Sequence, residues 1–219
     1  MLGAEIIKAI LQESQIDPAI IDEVILGQVL TGGSGQNPAR QSVIHAGMPI
    51  TSSAMTINKV CGSGLKAVAL AANAIRAGEG ELIIAGGQEN MSLAMHASYL
   101  RAGRKFGDVE LIDMMMYDGL TDVFSKDHMG ITAENVARRY KVTRLEQDEF
   151  AFYSYKKAYN ALKKNYFKNE LISGSLVDEV RQGTKLEKLS SLKAVFKNNG
   201  TVTAGDASSL NDGASMLLI

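Results

Sequence analysis

The sequence predicts a layered α/β fold, and three observations carry the prediction. Helical and extended segments alternate at short intervals over the first 87 residues, the rhythm of strands linked by covering helices into a largely parallel sheet. The composition, 46% hydrophobic and 21% charged with 21 glycines, belongs to globular α/β chains and not to disordered or fibrous ones. After a charged, strand-poor middle, strand character returns near the end. A length of 219 residues therefore reads as one core carrying a large insertion.

Ile6, Ile7, Ile10 and Leu11 keep helical spacing, so residues 3–14 read as an amphipathic helix. Asp17-Pro18 opens a short helical turn, and Glu23 to Leu30 reads as a buried strand. The loop Thr31 to Gly35 is glycine-rich, but no Gly-Lys-Ser/Thr follows, so a phosphate-cradling loop finds weak support. Pro38 at the first position and Gly47 beyond the end frame a helix from Asn37 to His45. A strand around Met55 to Asn58, a small-residue helix closed by Gly78 and the strand Glu81 to Gly87 complete the alternation, with helices expected on both faces.

From about Met91 to Asn199 strands vanish and charged helical segments replace them. Thr143-Arg144-Leu145-Glu146 is a capping box opening a helix from Leu145 to about Tyr166, whose Lys156, Lys157, Lys163 and Lys164 read as a solvated face. Thr201 to Asp206 and Ala214 to Ile219 read as strands.

Cys61 stands where a strand turns into a helix. There a thiol faces unpaired backbone N–H groups and the positive end of the helix dipole, both of which favour thiolate. The alternative is a small buried hydrophobe. Gly62 and Gly64 tilt the balance toward a nucleophile, because they remove side chains where a substrate approaches the sulfur.

A net charge of −1, from 23 basic and 24 acidic side chains, gives no global reason to expect nucleic acid or an anionic membrane as partner. One cysteine allows neither an intrachain disulfide nor a structural zinc site, and no metal site is expected. No run approaches the roughly 18 apolar residues of a spanning helix, and the start lacks a secretory layout, so the expectation is a cytoplasmic protein.

Several ordered motifs resemble the thiolase family: Asn58-Lys59-Val60-Cys61-Gly62-Ser63-Gly64-Leu65, Ala85-Gly86-Gly87-Gln88-Glu89-Asn90-Met91-Ser92 and Gly200-Thr201-Val202-Thr203-Ala204-Gly205-Asp206-Ala207-Ser208. Gly27-Gln28-Val29, Gly35 to Gln41, Asp118 to Asp122 and His128-Met129-Gly130 also match in order, and the likeness is strongest to the biosynthetic branch. The resemblance implies an acyltransferase that condenses two acetyl-CoA molecules to acetoacetyl-CoA, and reverses the reaction, by ping-pong transfer through an acyl-cysteine at Cys61. The backbone N–H of Cys61 would serve as an oxyanion donor. Leu120, His128, Met129, Arg181, Phe196, Ala204, Ala207 and Ser208 would line the coenzyme A region. Coenzyme A enters as substrate, with no permanently bound cofactor. Gly86 and Gly87 read either as backbone beside the pocket or as close-packing glycines. For His128 the resemblance outweighs a packing role.

The implied architecture is a thiolase-like α/β/α N-terminal domain over residues 1–92 and 200–219, with a mostly helical loop domain over 93–199 inserted between its last two strands. Leu100 to Met116, with Arg101, Arg104 and Lys105, resembles the family's tetramerisation loop, and homo-oligomerisation is implied. Departures are also expected. The family's second half supplies an activating histidine, an asparagine-held water and a second cysteine, none of which is present, and the chain reads as truncated at both ends. The family's first strand, expected at the centre of the sheet, is missing, which would leave its two neighbours unpaired at about 1–3 kcal/mol per buried group. Glu170 to Arg181 is short for the family's hairpin, Lys188 stands where a serine is common, and Asp206 replaces the familiar asparagine. A non-catalytic acyl-CoA-binding module and a β-ketoacyl synthase-like enzyme are the alternatives.

Overall fold

In the computed structural model, which describes residues 2–172 and 180–219, the apolar stripe of the first segment becomes helix α1 (Leu2–Ser14), with Ile7 fully buried and Ile6, Ile10 and Leu11 beside it. Asp17 caps the single turn Pro18–Ile20 by accepting from the Ala19 N–H at 2.9 Å. Strand β1 (Glu23–Gly27) follows, shorter than the expected 23–30. The reason is local: the Glu89 carboxylate accepts from the Val29 and Leu30 N–H groups at 2.8 and 3.2 Å, replacing the ladder bonds a continued strand would make.

Helix α2 (Pro38–His45) begins on Asn37, whose side chain accepts from the Arg40 N–H and from Thr56 Oγ1. Strand β2 (Ser53–Ile57) leads to α3 (Ser63–Ala77), which Gly78 closes at φ 74°. Strand β3 (Ile83–Asn90) runs three residues beyond the expected end. A two-residue ladder pairs β4 (His96–Ala97) with β5 (Ile112–Asp113), where no strand was expected. One π-helical turn, Met115–Leu120, follows.

The last strand, β6 (Asp212–Leu218), completes a sheet ordered β2-β1-β3-β6. β1 pairs in parallel with both β2 and β3, and β6 runs antiparallel to β3. This overturns the expected interior gap. β1 and β3 bond directly, from Glu23 with Ile83 to Gly27 with Gly87, so no strand is missing between them. Any further strand has only the outer edges of β2 and β6 to join.

Period-two alternation splits the sheet residues between two cores. Val24, Leu26, Ile84 and Met216 pack with Ile7 and Val43 under α1 and α2. Ile25, Ile83 and Ala85 face Ala67 and Ala71 of α3, whose small side chains let the helix lie close. Each fully buried Val, Leu or Ile contributes roughly 1.5–3 kcal/mol. Helices therefore cover both faces, as the alternation predicts.

The described residues divide into two units, Met1–Gly119 with Leu210–Ile219, and Leu120–Ser209. The second holds α4 (Met129–Tyr140), α5 (Arg144–Lys163) and α6 (Leu186–Ser190). The capping box at α5 is present in both directions, Thr143 with Glu146. The strand expected at Thr201–Asp206 is absent. Glu134 on α4, 7% exposed, accepts from the Thr201 and Val202 N–H groups at 2.7 and 2.8 Å and stands where a neighbouring strand would. Only a single bridge, Ala194 with Thr203, remains of strand pairing there.

Candidate active site

The turn from Asn58 to Ser63 carries Cys61 out of β2 and into α3, and leaves the thiol exposed. Val60 precedes it at φ +50°, a conformation that a β-branched side chain adopts only under constraint. The Val60 N–H donates to Asn58 Oδ1 at 2.8 Å. Its carbonyl accepts from Ser63 Oγ at 2.6 Å and from the Ser63 N–H at 3.0 Å. The Lys59 N–H donates to Ser63 Oγ at 2.8 Å. Two of the amides expected to face the sulfur are thus committed inside the turn, because the Gly62 N–H also donates to the Lys59 carbonyl. Sequence reasoning did not single out Val60 or Ser63. A positive φ at valine leaves no mark in sequence, whereas the hydroxyl two residues past the cysteine was a readable signal.

The glycines around this turn serve close approach of backbones. A Cβ on Gly27, at the end of β1, would stand 2.5 Å from Ser63 and 2.6 Å from the Gly64 nitrogen, so the start of α3 rests on the strand itself. A Cβ on Gly86 would collide with the Ser215 carbonyl of β6. Gly86 is therefore a packing glycine. Additions at Gly62 and Gly64 would meet only ordinary contacts, at 3.5 Å from the Lys59 carbonyl and 3.7 Å from the Gly87 nitrogen. The tight backbone approach lies at Gly27, beneath the turn, while the space beside Gly62 and Gly64 is left open by the protein.

In the second unit, His128 caps α4 through Nδ1, which accepts from the Gly130 N–H at 2.9 Å. Its ring stacks on Phe196 with centroids 4.9 Å apart at 16°, and Phe196 in turn lies over Gly130, where a Cβ would strike the ring. Met129, 39% exposed, opens the helix. Three of the expected coenzyme A residues are thus brought together. Leu120 ends the π-helical turn next to Thr121, which bridges to His128. Ala204 lies exposed in the turn after Thr203, and Arg181 is exposed too. Residues 173–179 of the expected hairpin segment lie outside the described residues.

Ala207 and Ser208 line a separate cavity of about 900 Å³ bounded by α4, α5 and residues 202–209. Asp206 lines it as well. Its Oδ1 accepts from the Thr203 N–H at 2.6 Å, while Oδ2 is buried without a hydrogen-bond partner. Burial raises the Asp206 pKa from its ordinary value, the Thr203 bonds oppose the rise, and the charge of Asp148 adds to it. Asp148, 1% exposed, is held by Arg144 Nε at 3.0 and 2.9 Å. This i,i+4 pair was legible in the spacing and went unread.

Known proteins match the whole length. The family model "Thiolase, N-terminal domain" covers residues 1–219. An acetyl-CoA acetyltransferase of Cupriavidus necator is 54% identical over all of this chain and 59% of its own length. One of Pseudomonas aeruginosa is 50% identical with the same coverage. Among solved structures, the Bacillus anthracis acetyl-CoA acetyltransferase superposes with a TM-score of 0.92 at 34% identity, over 99% of this chain and 58% of that one. A thiolase of Ascaris suum in complex with coenzyme A gives 0.92 at 37% identity, with the same coverage. The chain spans about three fifths of the length of the curated relatives it matches. Identity at this level along every residue, together with the shared fold, settles the lineage: the chain belongs to the thiolase family.

Proposed function

We propose that this chain carries the acylation half of an acetyl-CoA acetyltransferase, with Cys61 as the nucleophile. The observation that carries the reading is the placement of the family's cysteine motif: an exposed thiol on a constrained turn between β2 and α3, in a chain 54% identical to an acetyl-CoA acetyltransferase. Cys61 sulfur attacks the thioester carbonyl of acetyl-CoA. The new C–S bond forms as the bond to the pantetheine sulfur breaks, and the proton given up by Cys61 ends on the departing coenzyme A thiol. In the second half-reaction the methyl carbon of another acetyl-CoA gives up a proton and attacks the acyl-cysteine; a C–C bond forms as the C–S bond to Cys61 breaks, and one proton returns to the sulfur to restore the thiol. The Cys61 N–H is the chain's oxyanion donor.

The second unit is the coenzyme A-gripping loop domain in this reading, with Leu120, His128, Met129, Arg181, Phe196, Ala204, Ala207 and Ser208 on its binding surface. The stacked His128–Phe196 pair supplies an apolar wall. Coenzyme A is substrate, and no resident cofactor is required. The segment Leu100 to Met116, where Phe106 is 90% and Leu111 63% exposed, is an oligomerisation surface, since an apolar cluster of this kind normally needs cover. The setting is the cytoplasm.

Proton transfer sets the limit on the chain by itself. Its three histidines lie in α2 (His45), in β4 at 4.0 Å from Asp113 (His96) and at the cap of α4 (His128), and it has no second cysteine. Each general acid–base partner is worth about 10²–10⁴-fold in rate. The purified 219-residue chain is therefore expected to form no acetoacetyl-CoA above background in a coupled assay. Sustained condensation by the chain alone, lost in Cys61→Ser, would overturn this division of labour.

A further inference from the structure

Of the non-glycine residues with positive φ among those described, Val60 alone is β-branched, and it directly precedes Cys61. Its side chain is 52% exposed, so packing does not hold it in this conformation. Hydrogen bonds do. Asn58 Oδ1 takes the N–H on one side, and Ser63 takes the carbonyl on the other through both its hydroxyl and its amide. The same hydroxyl accepts from the Lys59 N–H, so one oxygen closes the turn across Val60. Ser63 is itself fixed: it is 4% exposed and rests against Gly27 of β1 with no room for a Cβ between them.

We propose that Ser63 is a positioning residue for Cys61, transmitting the rigidity of β1 to the thiol by clamping Val60 in its left-handed conformation. The proposal deepens the acyl-transfer reading and rests on it for the identity of the nucleophile. Strained backbone persists where the surroundings over-determine it, and it serves pre-organisation when the next residue reacts. A Ser63→Ala chain keeps the fold of the sheet but loses both hydroxyl bonds. Val60 then relaxes toward negative φ, and the sulfur that follows it loses its fixed, exposed position on the turn.

The test compares two rates at Cys61 in the full 219-residue chain: acetylation by acetyl-CoA, followed by intact mass, and alkylation by iodoacetamide. Ser63→Ala, which loses both hydroxyl bonds but keeps the hydrogen bond from its amide to the Val60 carbonyl, is expected to slow both by about tenfold. Ser42→Ala provides the structural control. That hydroxyl is fully buried in the same unit, donating to the Pro38 carbonyl and Gln88 Oε1, and its loss should lower the urea midpoint without changing either rate. Val60→Gly, which reaches positive φ without strain and keeps the clamp, should react at the wild-type rates. Should Ser63→Ala not fold, Val60→Gly/Ser63→Ala is read against Val60→Gly alone, where a slowing much smaller than tenfold is expected because glycine holds positive φ without the clamp, and a full tenfold loss would overturn the role through Val60. A folded Ser63→Ala chain alkylated as fast as wild type overturns the positioning role. A wild-type chain that alkylates normally but takes no acetyl group sinks the acyl-transfer reading instead, and the alkylation rates then decide the role of Ser63 on their own.

Discussion

Replacing Arg144 with methionine is expected to destabilise the second unit by about 3–5 kcal/mol, because it strands a buried carboxylate. Asp148 is 1% exposed, and Arg144 Nε donates to both its oxygens. The same guanidinium donates to the carbonyls of Leu189 and Leu192 at 2.7 and 3.0 Å, tying the end of α6 to α5. Methionine conserves much of the packing volume and removes every one of these donors. Removing both charges in Arg144→Met/Asp148→Leu should cost clearly less than the single change, since a buried pair replaced by apolar groups leaves no uncompensated ion. Urea unfolding followed by far-UV circular dichroism measures both. A single variant within about 1 kcal/mol of wild type would show that the pair is solvated and carries little of the unit's stability.

Asp206→Asn is expected to act in the opposite direction, stabilising the chain at neutral pH, because it removes a charge that burial disfavours. Asparagine keeps the Oδ1 bond from the Thr203 N–H and removes the charge at the orphaned Oδ2. Because burial raises the folded-state pKa of Asp206, the folded chain holds this proton more tightly than the unfolded one. The stability linked to that proton is fully present below the unfolded-state pKa and is lost as pH rises through the folded-state value. The advantage of Asp206→Asn should therefore be smallest in acid, grow as pH rises through the folded-state value and level off above it. Urea midpoints of both chains between pH 4 and 8 test it. A difference independent of pH would remove the charge from the explanation.

Periodicity and capping made much of this fold legible. The Ile6 to Leu11 stripe, Pro38 at the head of α2, Gly78 at the tail of α3 and the Thr143–Glu146 box each stand where the sequence puts them. All are local signals, fixed by neighbours within one helical turn. Non-local partners decided the misreadings. Glu89 cut β1 short from 60 residues away, and Glu134 took the amides that would have paired a strand at Thr201. The order β2-β1-β3-β6 likewise depends on which strands meet, and nothing in a single sequence announced that β1 and β3 would bond without an intermediary.

At the candidate site the position of Cys61, exposed where a strand turns into a helix, was legible, and the hydrogen bonds that hold the turn were not. The motif around Cys61 pointed to the thiol, while the glycines beside it were read as clearance for a substrate. The structure adds a close backbone approach at Gly27, where a Cβ would stand 2.5 Å from Ser63. Likewise the pairing of His128 with Phe196 joins residues 68 positions apart that only the motif likeness had grouped.

Acceptance of an acyl group at Cys61 separates an acylation half from a non-catalytic acyl-CoA-binding module. The direct measurement is intact-mass spectrometry of the folded chain after incubation with acetyl-CoA, beside Cys61→Ser treated identically. A single acetyl adduct, removed by hydroxylamine, mapping to Cys61 and absent from the variant, is the predicted result. A folded wild-type chain that remains unmodified at saturating acetyl-CoA, or one equally acetylated in Cys61→Ser, would contradict it.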